Sequence, residues 1–237
     1  MKRPHRKSQA IAFTFIEMLA VIAAIGLLAA LLLPAVAKGR QRAQRIRCVS
    51  FLKQVGLSAR QWALSHRNAY PWSLSVDSGG TLEHISKGEV WPHFQVMSNE
   101  LNTPYVLVCP SDTERIRASD FRSNLSNTNL SYFVGVDSSD SMPQMVLAGD
   151  RNILGGSSLP GRILMVTTND VVRWDNRMHK GQGNVALADG SVQGFSTSNL
   201  REALANTGAA TNKAFCRPVD RHHAPGGWQN LSGHGRG

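Results

Sequence analysis

Twenty-five consecutive residues, Phe13 to Ala37, hold a single charge, and that charge is Glu17. Wound as a helix at about 1.5 Å per residue, the run is about 37 Å long, enough to cross the hydrocarbon core of a bilayer. Nothing else in the chain restricts its fold and address so strongly. A carboxylate inside such a segment is costly in lipid, so Glu17 calls for a partner.

Two ordinary readings compete. In a secretory signal, Lys2, Arg3, Arg6 and Lys7 are the basic region and Ala35-Val36-Ala37 the cleavage site. The apolar run is longer than the usual core of such a signal, about 7–15 residues, and contains Glu17. In a plain membrane anchor, Glu17 has no account.

A third reading is a resemblance. The residues Ala12-Phe13-Thr14-Phe15-Ile16-Glu17-Met18-Leu19, with Pro34 beyond, resemble the N-terminus of type IV prepilins and type II secretion pseudopilins. In that family a basic leader is removed before a Phe, which is then N-methylated, and a Glu near the new terminus registers subunits in a filament. The resemblance implies cleavage between Ala12 and Phe13, an assembly role for Glu17 and a stem-helix bend at Pro34. Ala12 stands where the family has Gly. The new α-amine at Phe13 and the Glu17 carboxylate of a neighbouring subunit can neutralise one another. Removing one partner of such a buried pair costs about 3–5 kcal/mol. Ala20, Ala23, Ala24, Gly26, Ala29 and Ala30 permit close helix approach.

The net charge of +10 invites a nucleic-acid reading until the charges are located. Four cations lie in residues 1–12, five lie between Lys38 and Arg47, and the segment from Ala210 adds Lys213, Arg217, Arg221 and Arg236 against Asp220. Residues 48–209 are left nearly neutral. The Lys38–Arg47 block sits just past the apolar run, where basic residues meet anionic headgroups or acidic subunits, or simply face water. The leader's cations favour an N-terminus on the cytoplasmic side, and those after the span oppose it.

Three cysteines occur, Cys48, Cys109 and Cys216. Outside the cytoplasm a Cys48–Cys109 disulfide is permitted and would staple a head to its stem; two buried free thiols are the alternative. No CxxC or other metal-ligand spacing appears, so no metal site is expected.

Past the apolar run, Ile46, Val49, Leu52, Val55, Ala59 and Trp62 recur every three or four residues, which predicts a helix continuing to His66–Asn68 with one face against a sheet. Residues 90–101 read as a short helix or irregular turns. Strands are predicted at Tyr105–Val108, Leu130–Val136, Met145–Ala148 and Ile163–Thr167. Residues 184–195 read as a hairpin, with Asp189-Gly190 suited to a type I′ turn. A last helix is expected over 198–205. Residues 209–237, rich in Gly, His and Arg, predict disorder.

The fold expected is therefore α+β: a long N-terminal transmembrane and stem helix packed on a small antiparallel β-sheet head, the pilin-like layout. Its divisions are a leader (1–12), a membrane part of the stem (13–37), a periplasmic part (38–68), a head (69–208) and a tail (209–237). His179, followed by nine residues and then Asp189-Gly190, resembles the H-X9-DG signature of a bacterial subgroup of pilin-like proteins. The segment Cys48–Leu57 resembles that subgroup's stem.

Chemistry finds little purchase. Asp189 has a turn to make, and a lone His179 reads as a hydrogen-bonded residue. Asp137-Ser138-Ser139-Asp140-Ser141 offers oxygens to a structural calcium ion but lacks an EF-hand's spaced ligands, and reads first as a turn. No nucleophile elbow, phosphate loop or HExxH motif occurs. The expectation is a non-enzymatic pseudopilin-like subunit in a bacterial inner membrane, single-pass, its N-terminus cytoplasmic and its head periplasmic. Its partners would be other pseudopilins, a prepilin peptidase and methylase, and an inner-membrane assembly platform. A DNA-binding minor pilin and an anchored extracytoplasmic binding domain using a pilin-type export signal are the rival readings.

Overall fold

The structure is a computed structural model and describes residues 14–159, 163–167, 170–205 and 212–216. The expected leader, the Ala12–Phe13 bond and the end of the tail lie outside the described residues. The chain divides into two compact units, residues 1–43 and 44–237.

In the first unit the described residues belong almost wholly to helix α1 (Phe15–Leu64), and every one of them is exposed. The helix runs through Pro34. Proline there has no N–H to give the preceding turn, so Ala30 loses its usual helical donor. This part of α1 is long and apolar enough to cross a membrane.

The second unit contains the rest of α1. Its buried residues are Cys48, Phe51, Leu52, Val55, Gly56, Ser58, Ala59, Trp62 and Ala63. Their spacing of three and four keeps them on one helix face. Ile46, expected on this stripe, is exposed. The helix stops at Leu64, and Arg67 and Asn68 then take left-handed backbone with φ of 58° and 59°. A run of short turns follows, with helices α2 (Glu83–Lys87), α3 (Trp91–Gln95) and α4 (Ser98–Leu101).

The strands are β1 (Tyr132–Gly135), β2 (Val146–Asp150), β3 (Ile153–Leu154), β4 (Ser157–Leu159), β5 (Ile163–Thr167), β6 (Arg173–Trp174), β7 (Gly183–Leu187), β8 (Val192–Phe195) and β9 (Asn212–Cys216); α5 (Thr197–Ala205) lies between the last two. Seven of them form one sheet in the order β4-β5-β9-β1-β2-β7-β8, with every neighbouring pair antiparallel. β3 and β6 pair separately. A long apolar N-terminal helix and a small antiparallel sheet make the chain α+β, as its sequence predicts.

The sheet is covered on both faces. Tyr132, Val134, Leu147, Ala148 and Ala186 join the buried face of α1 in one core. Phe133, Val146, Val185, Leu187 and Phe195 join Ile153, Trp174, Leu200 and Leu204 in a second. Tyr132 and Val134 face one way and Phe133 the other, the two-residue alternation of a strand. The register of β2 on β7 shifts between Val146 and Ala148, and Leu147 and Ala148 then fall in the same core.

Three expectations are corrected. Tyr105–Val108 is a 3-10 turn (Pro104–Leu107), because Pro104 sets a helical φ at its first position and the Thr103 hydroxyl caps it by accepting from Tyr105 N–H. The Asp189-Gly190 turn is not type I′: Gly190 alone has positive φ, 86°, and its N–H donates to Leu187 O at 2.9 Å. Within the segment expected to be disordered, Asn212–Cys216 forms a strand between β5 and β1.

One buried ion pair organises the interior. Arg151 donates through Nε and Nη2 to the two oxygens of Asp112 at 2.7 and 2.8 Å, and through Nη2 to Glu114 at 2.6 Å. Ser131 Oγ donates to Asp112 at 2.8 Å. Burial alone would raise the Asp112 carboxyl, but the Arg151 and Ser131 donors and the Glu114 N–H outweigh it and hold its pKa below the ordinary value. A depressed folded pKa gives stability that is present above about pH 4 and lost as pH falls through the folded value. Asp112→Ala leaves the Arg151 charge buried without its main partner and should cost about 3–5 kcal/mol in denaturant unfolding. It should also flatten the acid limb of the stability curve below about pH 4. An unchanged midpoint would refute this assignment.

Candidate functional site

Glu17 sits in the first turn of α1. Thr14 N–H donates to Glu17 Oε2 at 2.8 Å, Thr14 Oγ1 donates to the same oxygen at 2.7 Å, and Glu17 N–H reaches back to Thr14 Oγ1 at 3.4 Å. This is a reciprocal capping box, in which a Thr and the Glu three residues on satisfy each other's backbone donors. The signal, Thr-x-x-Glu before an apolar run, stands in the sequence, and it supplies Glu17 with a local partner that even a plain anchor would have. Pro34 lies within the same helix, and Phe13 and Ala12 are outside the described residues.

The Lys38–Arg47 block belongs to α1. Within the second unit, Arg45 Nη1 donates to Gln182 Oε1, so this member of the block has a partner in the head.

The second candidate region is where the head meets α1. Cys48 and Cys109 are joined by a disulfide with Cα atoms 5.1 Å apart, and both residues are fully buried. His179 Nε2 lies 3.3 Å from Cys109 Sγ and 3.4 Å from Asp150 Oδ2. The imidazole is 2% exposed and the carboxylate fully buried. Asp150 Oδ2 accepts from both the N–H and Nδ2 of Asn184, at 2.7 and 2.8 Å. Its Oδ1 is buried without a hydrogen bond among the described residues.

His179 reaches this place through unusual backbone. His179, Lys180 and Gly181 have φ of 47°, 53° and 75°, three left-handed residues in a row. For the two non-glycines this conformation is disfavoured and must be held by the surroundings. Burial pushes the imidazole pKa down, helped by the Arg45 charge. Burial pushes the Asp150 carboxyl up, against the Asn184 donors.

The other end of the motif is also on α1. Asp189 Oδ1 accepts from Ser191 N–H at 2.7 Å, and the Asp189 carbonyl accepts from Arg60 Nη1 at 2.6 Å. A Cβ on Gly190 would stand 3.1 Å from Arg60 Nη1. The positive φ favours glycine there, and a side chain would also displace the Arg60 guanidinium by a few tenths of an ångström. Cys48 and Arg60 are twelve residues apart, about 18 Å along a helix. His179 and Asp189-Gly190 thus touch α1 at two separated points, with β7 lying between. Midway, Gly56 faces Ala186: a Cβ on Gly56 would stand in ordinary contact, 3.5 Å from that of Ala186.

The Asp137–Ser141 segment directs its side chains to protein partners. Ser138 Oγ donates to Gly135 O at 2.6 Å and accepts from Trp72 Nε1 at 3.2 Å, and Asp140 faces Arg60 Nε at 3.8 Å. Among the residues named from sequence, the structure brings together Cys48, Cys109 and His179, and it keeps Asp189 and Gly190 apart from them. Asp150 and Arg151 read in the sequence as ordinary loop charges, but Asp150 ends β2 fully buried and Arg151 is buried beside it; Thr14 and Arg60 had no role assigned to their side chains, and Arg45 only its place in the basic block.

No family model matches the chain, and no curated protein and no solved structure matches it.

Replacing Cys48 and Cys109 by Ser opens a loop closed across a sequence separation of 61. In the chain-entropy account this lowers unfolding stability by about 4 kcal/mol. The check is urea unfolding of the detergent-solubilised chain. A loss under about 1 kcal/mol would show that packing alone holds the head to the second half of α1.

Proposed function

We propose that the chain is a pilin-like structural subunit, of the type II secretion or type IV pilus kind, that assembles through the exposed apolar part of α1. The carrying observation is that one helix has two uses. Its residues 15–43 are exposed throughout although mostly apolar, and its residues 48–63 form the floor of a disulfide-tied head. An apolar helix surface of that length needs lipid or other helices around it. Small residues along it suit helix–helix contact, and Glu17 near the start suits an amine on a neighbouring subunit. The disulfide suits an oxidising compartment outside the cytoplasm. On this reading the peptidase and the assembly platform act on the N-terminal segment, and the head performs no reaction.

A second reading has its own observation. The Thr14–Glu17 capping box gives the carboxylate a local function, which favours a singly anchored extracytoplasmic domain that forms no filament.

Mass spectrometry of the mature N-terminus separates these readings from ordinary secretion: a methylated Phe13 is expected, and a start at Lys38 would overturn the proposal. Glu17→Ala should lower filament yield at least tenfold while leaving membrane insertion intact. A capping role alone predicts normal assembly with a helix destabilised by about 1 kcal/mol.

A further inference from the structure

The buried cluster at Cys48, Cys109, His179 and Asp150 has more donor atoms than a disulfide needs. A disulfide needs two sulfurs in an apolar setting. Here an imidazole nitrogen and a carboxylate are delivered to it as well, the first by three left-handed residues, the second with a buried oxygen left without a hydrogen bond. Each of these is unfavourable without a return.

We propose that, in the dithiol form of the protein, these four residues bind one thiophilic divalent cation, zinc, which then ties the head to α1 as the disulfide does in the oxidised form.

The geometry supports this in three ways. Ligands of a tetrahedral zinc at about 2.0–2.3 Å are separated from one another by about 3.3–3.8 Å. Cys109 Sγ to His179 Nε2 is 3.3 Å, and the Asp150 carboxylate adjoins the imidazole, its Oδ2 3.4 Å from Nε2. The donor atoms of Cys48, Cys109 and His179 all lie within 4.8 Å of one another, and the Asp150 carboxylate, beside His179 but outside that group, moves in to complete the set. Once the S–S bond is cleaved, the sulfurs need to separate by only about 2 Å to take their places.

The surroundings also fit. Asn184 holds Asp150 through two hydrogen bonds, both to Oδ2, the support that ligating carboxylates commonly have, and Oδ1 is the oxygen left to ligate. Two sulfurs, one imidazole nitrogen and one carboxylate oxygen form a set that zinc accepts and calcium or magnesium does not. Two thiolates and a carboxylate around Zn²⁺ leave one net negative charge, and Arg45, bonded to Gln182 in the same unit, biases both His179 and Asp150. The site is closed, with all four side chains buried, so it suits a structural ion.

The two states interconvert by balanced steps. A dithiol reductant gives two electrons and two protons to the Cys48–Cys109 bond and leaves as its own disulfide. Zinc then displaces the two thiol protons. Oxidation by a disulfide donor, which takes up the two electrons with two protons and leaves as two thiols, returns the sulfurs to one another and releases the ion. The proposal is independent of filament assembly.

The test uses the full chain in detergent, reduced with a dithiol and freed of it without air. Cobalt(II) is titrated in as a spectroscopic probe, and zinc then competes. One equivalent should bind, with the charge-transfer and intense visible bands of a tetrahedral thiolate site, and zinc should displace it. The oxidised chain should bind none. His179→Ala and Asp150→Asn should each weaken binding at least tenfold, and Cys216→Ser should leave it unchanged. Zinc X-ray absorption of the wild-type chain, which depends on no variant's folding, should show two sulfur and two nitrogen or oxygen ligands. Substoichiometric binding, affinity indifferent to His179 and Asp150, or a ligand set lacking either sulfur or the lighter atoms would overturn the proposal.

Discussion

The head depends on one helix face staying flat and close to the sheet. Cys48, Leu52, Val55, Ala59 and Trp62 lie along that face, with Ala186 across from Gly56. Close approach of a strand to a helix removes water from both, and the gain scales with apolar area, about 25 cal/mol per Å². Sliding along the helix would keep most of that area buried, so burial alone does not choose a register. The contacts at the two ends of the His179-to-Gly190 segment do. His179 meets the Cys48–Cys109 bond at one end, and the Asp189-Gly190 loop receives Arg60 at the other. Nine intervening residues, including all of β7, measure the distance between them.

Buried polar groups reinforce that choice. A hydrophobic core tolerates small shifts, whereas a buried ion pair does not, because a displaced partner leaves a charge without solvent. Arg151 follows β2 and binds Asp112 and Glu114, just past Cys109. Asp150, its neighbour, ends β2 and faces His179. Two consecutive residues at the end of the strand thus tie it to different segments. The first contact fixes the turn region against the sheet, and the second fixes the sheet against α1.

Much of this layout is legible in the sequence where the local pattern and the tertiary environment agree. The three-and-four spacing from Leu52 to Trp62 gives the buried helix face, and the runs at 130–136, 145–148, 163–167 and 184–195 mark strands. Disagreement arises where a short segment takes its state from its neighbours. Tyr105–Val108 has the composition of a strand, but Pro104 and Pro110 flank it and deny ladder donors. β9 has few strand formers, and its state comes from the gap between β5 and β1. The type I′ expectation rested on an Asp-Gly pair; the loop from Ala188 to Ser191 is longer, so Gly190 alone takes positive φ. The meeting of Cys109, Asp150 and His179 follows from sheet order across 70 residues, which no local window contains. His179 carried a resemblance but no visible partner, and Asp150 carried neither.

The two accounts of Glu17 are less opposed than they first look. A capping box orders the first turn of an isolated helix and holds its carboxylate at the helix end, beside the backbone amides of residues 14 to 17. Both Thr14 donors go to the same oxygen, Oε2. A carboxylate has two oxygens and about four acceptor positions, so a box of this kind leaves capacity for a further donor. The positive end of the helix dipole stabilises the anion in the same place. A carboxylate prepared in this way has already lost its rotamer freedom before any neighbour arrives. An incoming amine then needs only to be positioned, and the cost of ordering the pair falls on the amine alone. In the proposed assembly, capping is thus the step that makes Glu17 a rigid acceptor, and the amine of an adjoining subunit supplies the charge that lipid does not.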